Sequence, residues 1–184
     1  MTLILASGSP RRKELLSKIT TDFDVVVSDV DETTPPSMKG PEVVEVLAIR
    51  KANEVAKEYP DELVIGSDTI VVLNDEIMGK PKDEADAKRM LEQLSGTTHE
   101  VLTAVHLTKG QQKATQVVTT KVTLFELTPE EIDAYIATKE PMDKAGSYGI
   151  QGKGALLVKK IDGDFYSVAG FPVSVVARML KEIQ

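Results

Sequence analysis

The 184-residue chain has no cysteine. That absence excludes disulfides, thiolate metal centres and a cysteine nucleophile together. Histidine is nearly as scarce. His99 and His106 lie in or beside a β-rich run, and neither has a second His or a Glu at ligand spacing, so both read as structural or exposed. The four Phe and four Tyr are scattered and form no paired platform for stacking single-stranded nucleic acid. Positive charge is in deficit, with 22 Lys+Arg against 29 Asp+Glu and a net charge of −7. This balance argues against a whole-surface nucleic-acid binder. No apolar stretch approaches the roughly 20 residues that span a bilayer. The opening Met-Thr-Leu-Ile-Leu-Ala lacks the basic segment and long apolar run of a secretion signal. Neither a Gly-x-x-x-x-Gly-Lys-Ser/Thr phosphate loop nor a Gly-x-Ser-x-Gly nucleophile turn occurs. What is present is an ordinary globular balance, 41% hydrophobic and 28% charged. The expectation is a soluble, cytoplasmic protein folded over 1–184 as a single domain, with any two lobes sharing one core.

The chain reads as alternating strands and helices. Leu3-Ile4-Leu5-Ala6 is a buried strand running into Ser7-Gly8-Ser9-Pro10, where Ser9 caps a helix that begins with Pro10 and continues through Ile19. Phe23 to Val27 reads as a second strand, followed by the acidic Ser28 to Glu32 and a Thr33-Thr34-Pro35-Pro36 loop. Val43, Val44, Leu47, Ala48, Ala52 and Val55 recur at helical spacing in a helix starting near Pro41. Leu63 to Ile65 and Ile70 to Leu73 are strand-like runs separated by Gly66-Ser67-Asp68-Thr69, and Asn74-Asp75 is a tight turn. A helix follows from about Asp83 to Leu94. Val101 to Leu107 and Gln116 to Phe125 then form a long hairpin. Thr128 and Glu131 make a capping box. Beyond the glycine-dense 146–154 stretch, strands from Ala155 to Ile161 and Phe165 to Val168 are expected to flank Asp162-Gly163, with a C-terminal helix from Pro172.

Five features bear chemistry. Ser7 to Arg12 opens a helix whose free N–H groups favour an anion, and Arg11 and Arg12 add fork-shaped donors suited to phosphate; a solvated helix cap is the plainer alternative. Asp29-Val30-Asp31-Glu32 offers oxygen ligands suited to Mg²⁺ or Mn²⁺, although alone it reads as a solvated acidic turn. Asp68 lies between strand-like runs, so it must be paired, metal-bound or exposed at a strand end, and it is the best single candidate for a base or metal ligand; a turn-stabilising Asp is the alternative. Lys51 and Lys80 are ordinary surface lysines singly, but with Arg11 and Arg12 in one cleft they would form a local positive funnel. Gln151, in Gly149-Ile150-Gln151-Gly152, could read a base edge where glycines let backbone approach a ligand closely; a simple turn is the alternative.

In series, Ser7-Gly8-Ser9-Pro10-Arg11-Arg12, Asp31-Glu32-Thr33, Ile65-Gly66-Ser67-Asp68-Thr69, Gly79-Lys80-Pro81, Leu94-Ser95-Gly96, the block from Lys144 to Gly152 and Val168-Ala169-Gly170-Phe171-Pro172 resemble the Maf family over nearly the whole chain. The resemblance implies an α/β fold of the inosine-triphosphate-pyrophosphatase type, a long mixed twisted sheet flanked by helices, in two lobes with a cleft between. It implies a nucleoside triphosphate pyrophosphatase, with Asp68 as general base or metal-proximal acid and Glu32 as a second essential carboxylate. Ser7, Ser9, Arg11, Arg12, Lys51 and Lys80 would surround the triphosphate, and Mg²⁺ or Mn²⁺ would be held by Glu32 and Asp68. Arg11, Thr69 and Gln151 resemble the subclass acting on dTTP and UTP rather than the one preferring 7-methyl-GTP. A homodimer is also implied. The alternative is a nucleotide-binding regulator of septum formation with little turnover.

Overall fold

The structure is a computed structural model that describes residues 2–183. Strand β1 (Leu3–Leu5) runs parallel to both β2 (Asp24–Val25) and β3 (Leu63–Leu73), with Ile4 opposite Asp24 and Leu5 opposite Ile65. A turn at Asn74 and Asp75, both with positive φ, returns the chain as β4 (Glu76–Met78) antiparallel to β3. The long strands β5 (Thr98–Lys109) and β6 (Gln112–Leu124) are followed by β7 (Val158–Asp162), antiparallel to β6. The resulting seven-stranded mixed sheet has the order β2-β1-β3-β5-β6-β7, with β4 beside β3. Among the described residues, six α-helices accompany it: α1 (Pro10–Leu16), α2 (Gly40–Glu58), α3 (Glu84–Leu94), α4 (Pro129–Ala137), α5 (Phe165–Val168) and α6 (Val173–Ile183).

The chain divides into two compact units. The first comprises the described residues up to Thr69, Thr103–Val118 and those from Gly170 onward. Within it, Ile4, Ala6 and Val64 on or beside the sheet pack against Ala52 and Val55 of α2. The second comprises Ile70–Leu102 and Thr119–Ala169. Its core joins Val71 and Leu73 of β3, Met90, Leu91 and Leu94 of α3, Val122 and Leu124 of β6 and Ile132 and Ile136 of α4. Leu91 and Leu94 are fully buried, and each such side chain contributes about 2–3 kcal/mol by transfer from water. No helix among the described residues is long and apolar enough to cross a membrane.

Capping chemistry places several helices where the sequence puts them. The Ser9 side chain accepts from Arg12 N and Pro10 takes the first helical position. Thr128 and Glu131 bond each other's backbone N–H reciprocally.

Five expectations change. The strand expected from Ala155 to Ile161 is Val158–Asp162, because Lys153–Leu156 winds into a 3₁₀ turn ahead of it. The two strand-like runs around Gly66-Ser67-Asp68-Thr69 are one continuous strand, β3, buried at every position except Thr69 and Val72, as expected for a strand covered on both faces. The first helix ends at Leu16 rather than Ile19, because residues 17–20 close with tight-turn bonds such as Lys18 N to Leu15 O. The second strand contracts to Asp24–Val25. Phe165–Val168 is a helical turn, not a strand, because the Asp164 side chain accepts from Ser167 N and caps it.

Candidate functional site

The site is assembled on the first unit by β1, α1, α2 and β3. Its centre is Lys51. Its ammonium donates to Asp68 Oδ1 at 2.6 Å and lies 3.0 Å from Glu32 Oε1. Asp68 and Lys51 are largely buried, with side-chain exposures of 10% and 13%, whereas Glu32 is 60% exposed. One cation thus gathers two carboxylates that stand 36 positions apart in sequence.

Gly66 makes this meeting possible. A Cβ there would sit 2.7 Å from Ala52 N and 2.8 Å from Ala52 Cβ, so only glycine lets α2 lie this close to β3. Lys51 precedes Ala52 on that helix, and Asp68 lies two residues beyond Gly66 on the same strand. Close helix–strand contact therefore sets the ammonium against the carboxylate.

The acidic loop is fixed from the same helix. Arg50 Nη1 donates to the carbonyls of Asp31, at 2.9 Å, and Thr33, at 2.7 Å, on either side of Glu32. Asp31 is occupied locally: its carboxylate accepts from Thr33 N at 2.9 Å, and that bond lowers its pKa from the ordinary value.

Arg12 anchors the other flank. Its Nε donates to Gly170 O at 2.9 Å and its Nη2 to Thr69 Oγ1 at 3.1 Å, and Thr69 Oγ1 shares a 2.9 Å hydrogen bond with Thr103 Oγ1. Ser67 Oγ donates to the same Gly170 carbonyl at 3.4 Å. Burial lowers the Arg12 pKa; Asp68 and Glu32 oppose that lowering and Arg11 adds to it, so the guanidinium lies in the field of the carboxylate pair. Ser7 Oγ accepts from Ser9 N at 3.2 Å and Ser9 Oγ from Arg12 N at 3.4 Å, which winds the β1–α1 turn into a helix start.

Of the residues singled out in sequence, Glu32, Lys51 and Asp68 therefore meet directly, and Ser7, Ser9, Arg12 and Thr69 belong to the same unit. Arg11 follows Pro10 at the start of α1 and is half-buried. Lys80 and Gln151, both exposed, belong to the second unit and are not joined by this network. Sequence reading missed Arg50, Ser67, Thr103 and the Gly170 carbonyl. Arg50 had one legible signal, its place beside Lys51 on the same helix. A backbone carbonyl 158 residues from Arg12 had none.

Among the described residues, no group of at least three His, Asp or Glu side chains gathers as a metal-ligand set. The carboxylates of Glu32 and Asp68 converge to within 3.0 Å of a single cation. A pair of this kind is a fitting donor set for a hard divalent ion that takes its remaining oxygens from phosphate and water.

The family model for Maf-like protein matches residues 2–183. This chain belongs to the Maf family. It is 55% identical to the dTTP/UTP pyrophosphatase of Bacillus cytotoxicus, over 97% of this chain and 94% of that one. It is 53% identical to the dTTP/UTP pyrophosphatase of Bacillus cereus strain AH187, over 98% of this chain and 94% of that one. Among solved structures, the Staphylococcus aureus Ham1 protein superposes with a TM-score of 0.60 over 100% of both chains at 15% identity. The fold is thus shared between a Maf-family chain and Ham1 although few residues are.

Proposed function

We propose that this chain hydrolyses dTTP and UTP between the α- and β-phosphates, releasing the nucleoside monophosphate and pyrophosphate. The observation that carries the reading is the cluster of Glu32, Lys51 and Asp68 in a Maf-family chain more than half identical to dTTP/UTP pyrophosphatases. In this reading a water oxygen bonds to the α-phosphorus. The bond from that phosphorus to the bridging oxygen breaks, and pyrophosphate leaves with the bridging oxygen. Asp68 accepts the water's proton as general base. Lys51, hydrogen-bonded to Asp68, orients that carboxylate and, with Arg11, Arg12 and Lys80, stabilises charge on the leaving group. Ser7 and Ser9, at the helix start, bind phosphate oxygens. Arg11, Thr69 and Gln151 favour the pyrimidine nucleotide. Glu32 and Asp68 would hold Mg²⁺ or Mn²⁺, which supplies polarisation of phosphoryl oxygens when bound. A homodimer and a cytoplasmic setting accompany this proposal.

The test is product analysis with dTTP and UTP, with and without Mn²⁺. Monophosphate plus pyrophosphate is expected; diphosphate plus phosphate would overturn the assignment. Asp68→Asn keeps the side chain's shape and should lower kcat on the order of 10²–10⁴-fold, with an unchanged circular-dichroism spectrum. Near-normal turnover in that variant removes Asp68 from the role of base.

A further inference from the structure

The glycine-rich segment from Gly149 to Gly154 closes on the protein itself. Glu140 Oε2 accepts from Lys153 N at 2.9 Å, and Glu140 Oε1 accepts from Gly154 N at 3.1 Å and from the Tyr135 hydroxyl at 2.8 Å. The Tyr135 oxygen in turn accepts from Gly149 N at 3.0 Å. The space beside two of the glycines is filled by the same pair. A Cβ on Gly152 would lie 2.6 Å from Glu140 Cδ, and one on Gly154 would lie 2.7 Å from the Tyr135 oxygen. These glycines admit Glu140 and Tyr135, so the expectation that they admit a ligand is not needed to explain them. Gln151 sits exposed between the pinned positions, two residues after Gly149 and two before Lys153.

We propose that Glu140 and Tyr135 are positioning residues that template the 149–154 loop and, through Gln151, set affinity for the nucleotide's base. The proposal rests on the reading that Gln151 contacts the base. Glu140 stays a carboxylate in this role: burial pushes its pKa up, but the N–H groups of Lys153 and Gly154 and the Tyr135 hydroxyl outweigh that and hold it below its ordinary value. An ionised carboxylate can accept all three bonds at once, which a glutamine cannot. Tyr135 is carried by α4 and Glu140 by the 3₁₀ turn Glu140–Asp143, so the template stands on ordered elements.

The experiment is steady-state kinetics with dTTP on full-length Gln151→Ala, Glu140→Gln and the double variant. Each single change should raise KM about tenfold with kcat within about twofold, the mark of lost binding rather than lost chemistry. Because Glu140 acts through Gln151, the double variant should have the same KM as Gln151→Ala. If Gln151→Ala raises KM but Glu140→Gln does not, or if the two effects multiply, the template is overturned and the base contact stands. If Gln151→Ala leaves KM unchanged, the base contact falls and this inference with it. Tyr135→Phe keeps the ring and removes only the hydroxyl that links Gly149 to Glu140; it should raise KM in the same way if Glu140→Gln does not fold, and an unchanged KM in Tyr135→Phe overturns the template.

Discussion

Lys51 is the residue whose loss should be felt most widely. Lys51→Met keeps an unbranched apolar stem but strands Asp68 as an unpaired, largely buried charge. Breaking such a pair from one side typically costs about 3–5 kcal/mol, so the urea midpoint should fall sharply. Adding Asp68→Asn to Lys51→Met should restore part of the loss, because the uncompensated charge is gone; strictly additive losses would deny the pair its energetic role. Arg50 makes a contrasting prediction. It holds backbone around Glu32 rather than any core group, so Arg50→Ala should leave the melting temperature nearly unchanged. Turnover should nevertheless drop on the order of ten- to a hundredfold as Glu32 loses its place; full activity in Arg50→Ala would show that the loop holds Glu32 without it. At this scale the sequence was legible where the chemistry lies in side-chain type. Lone Asp68 between apolar runs demanded a partner, and Lys51 is that partner. The Gly170 carbonyl was illegible because every residue has one, and only folding aims this one at Arg12 and Ser67.

Among the elements, the α2–β3 contact governs the site. Gly66→Ala places a methyl 2.7 Å from Ala52 N, inside van der Waals contact, and overpacking of this kind typically costs about 1–3 kcal/mol. The helix must shift outward to relieve it, so Lys51 moves off Asp68. Gly66→Ala is therefore expected to lose activity even at temperatures where it remains folded by circular dichroism; a folded and fully active variant would show that α2 need not lie this close. The same strand shows how sequence patterning misleads. Gly66-Ser67-Asp68-Thr69 has turn-forming residues, which locally favour a break. Yet Gly66 is there for helix contact, Ser67 bonds to Gly170, Asp68 to Lys51 and Thr69 to Thr103, and each polar group is satisfied without leaving the sheet. Phe165–Val168 errs in the opposite direction. Its aromatic and β-branched residues suit a strand, but the Asp164 cap, and a buried Ser167 that bonds Thr120, settle it as a helical turn. Caps at Ser9 and Thr128 were readable because a cap is local; strand continuity depends on neighbours distant in sequence.

For the whole molecule, His99 contributes to acid sensitivity, and His106, whose pKa burial also lowers, acts in the same direction. His99 is buried in the second unit with Nε2 hydrogen-bonded to the Tyr148 hydroxyl and Nδ1 without a partner among the described residues. Burial lowers its pKa from 6.5 to about 4. Between those values the unfolded chain binds the proton that the folded chain refuses, so stability rises with pH. The contribution is fully present above about pH 6.5 and is lost as pH falls toward about 4, a change on the order of 3 kcal/mol. Glu140, lowered in the fold, acts in the same direction at the more acid end. Urea unfolding of wild type and His99→Gln from pH 4.5 to 7.5 should show a shallower slope in the variant; parallel slopes would exclude His99 as the source. The mixed sheet itself ends in two outer strands of different character. β2 has only Asp24 and Val25. β7 carries Lys159 and Lys160, both exposed, with the Lys159 ammonium 6.0 Å from the Phe125 ring centre. A strand too short to template another and a strand fenced by like charges both discourage intermolecular β-pairing. The consequence concerns shelf life rather than catalysis: a preparation in which both lysines are replaced by valine should scatter light and bind thioflavin on storage while its freshly folded molecules remain unaltered.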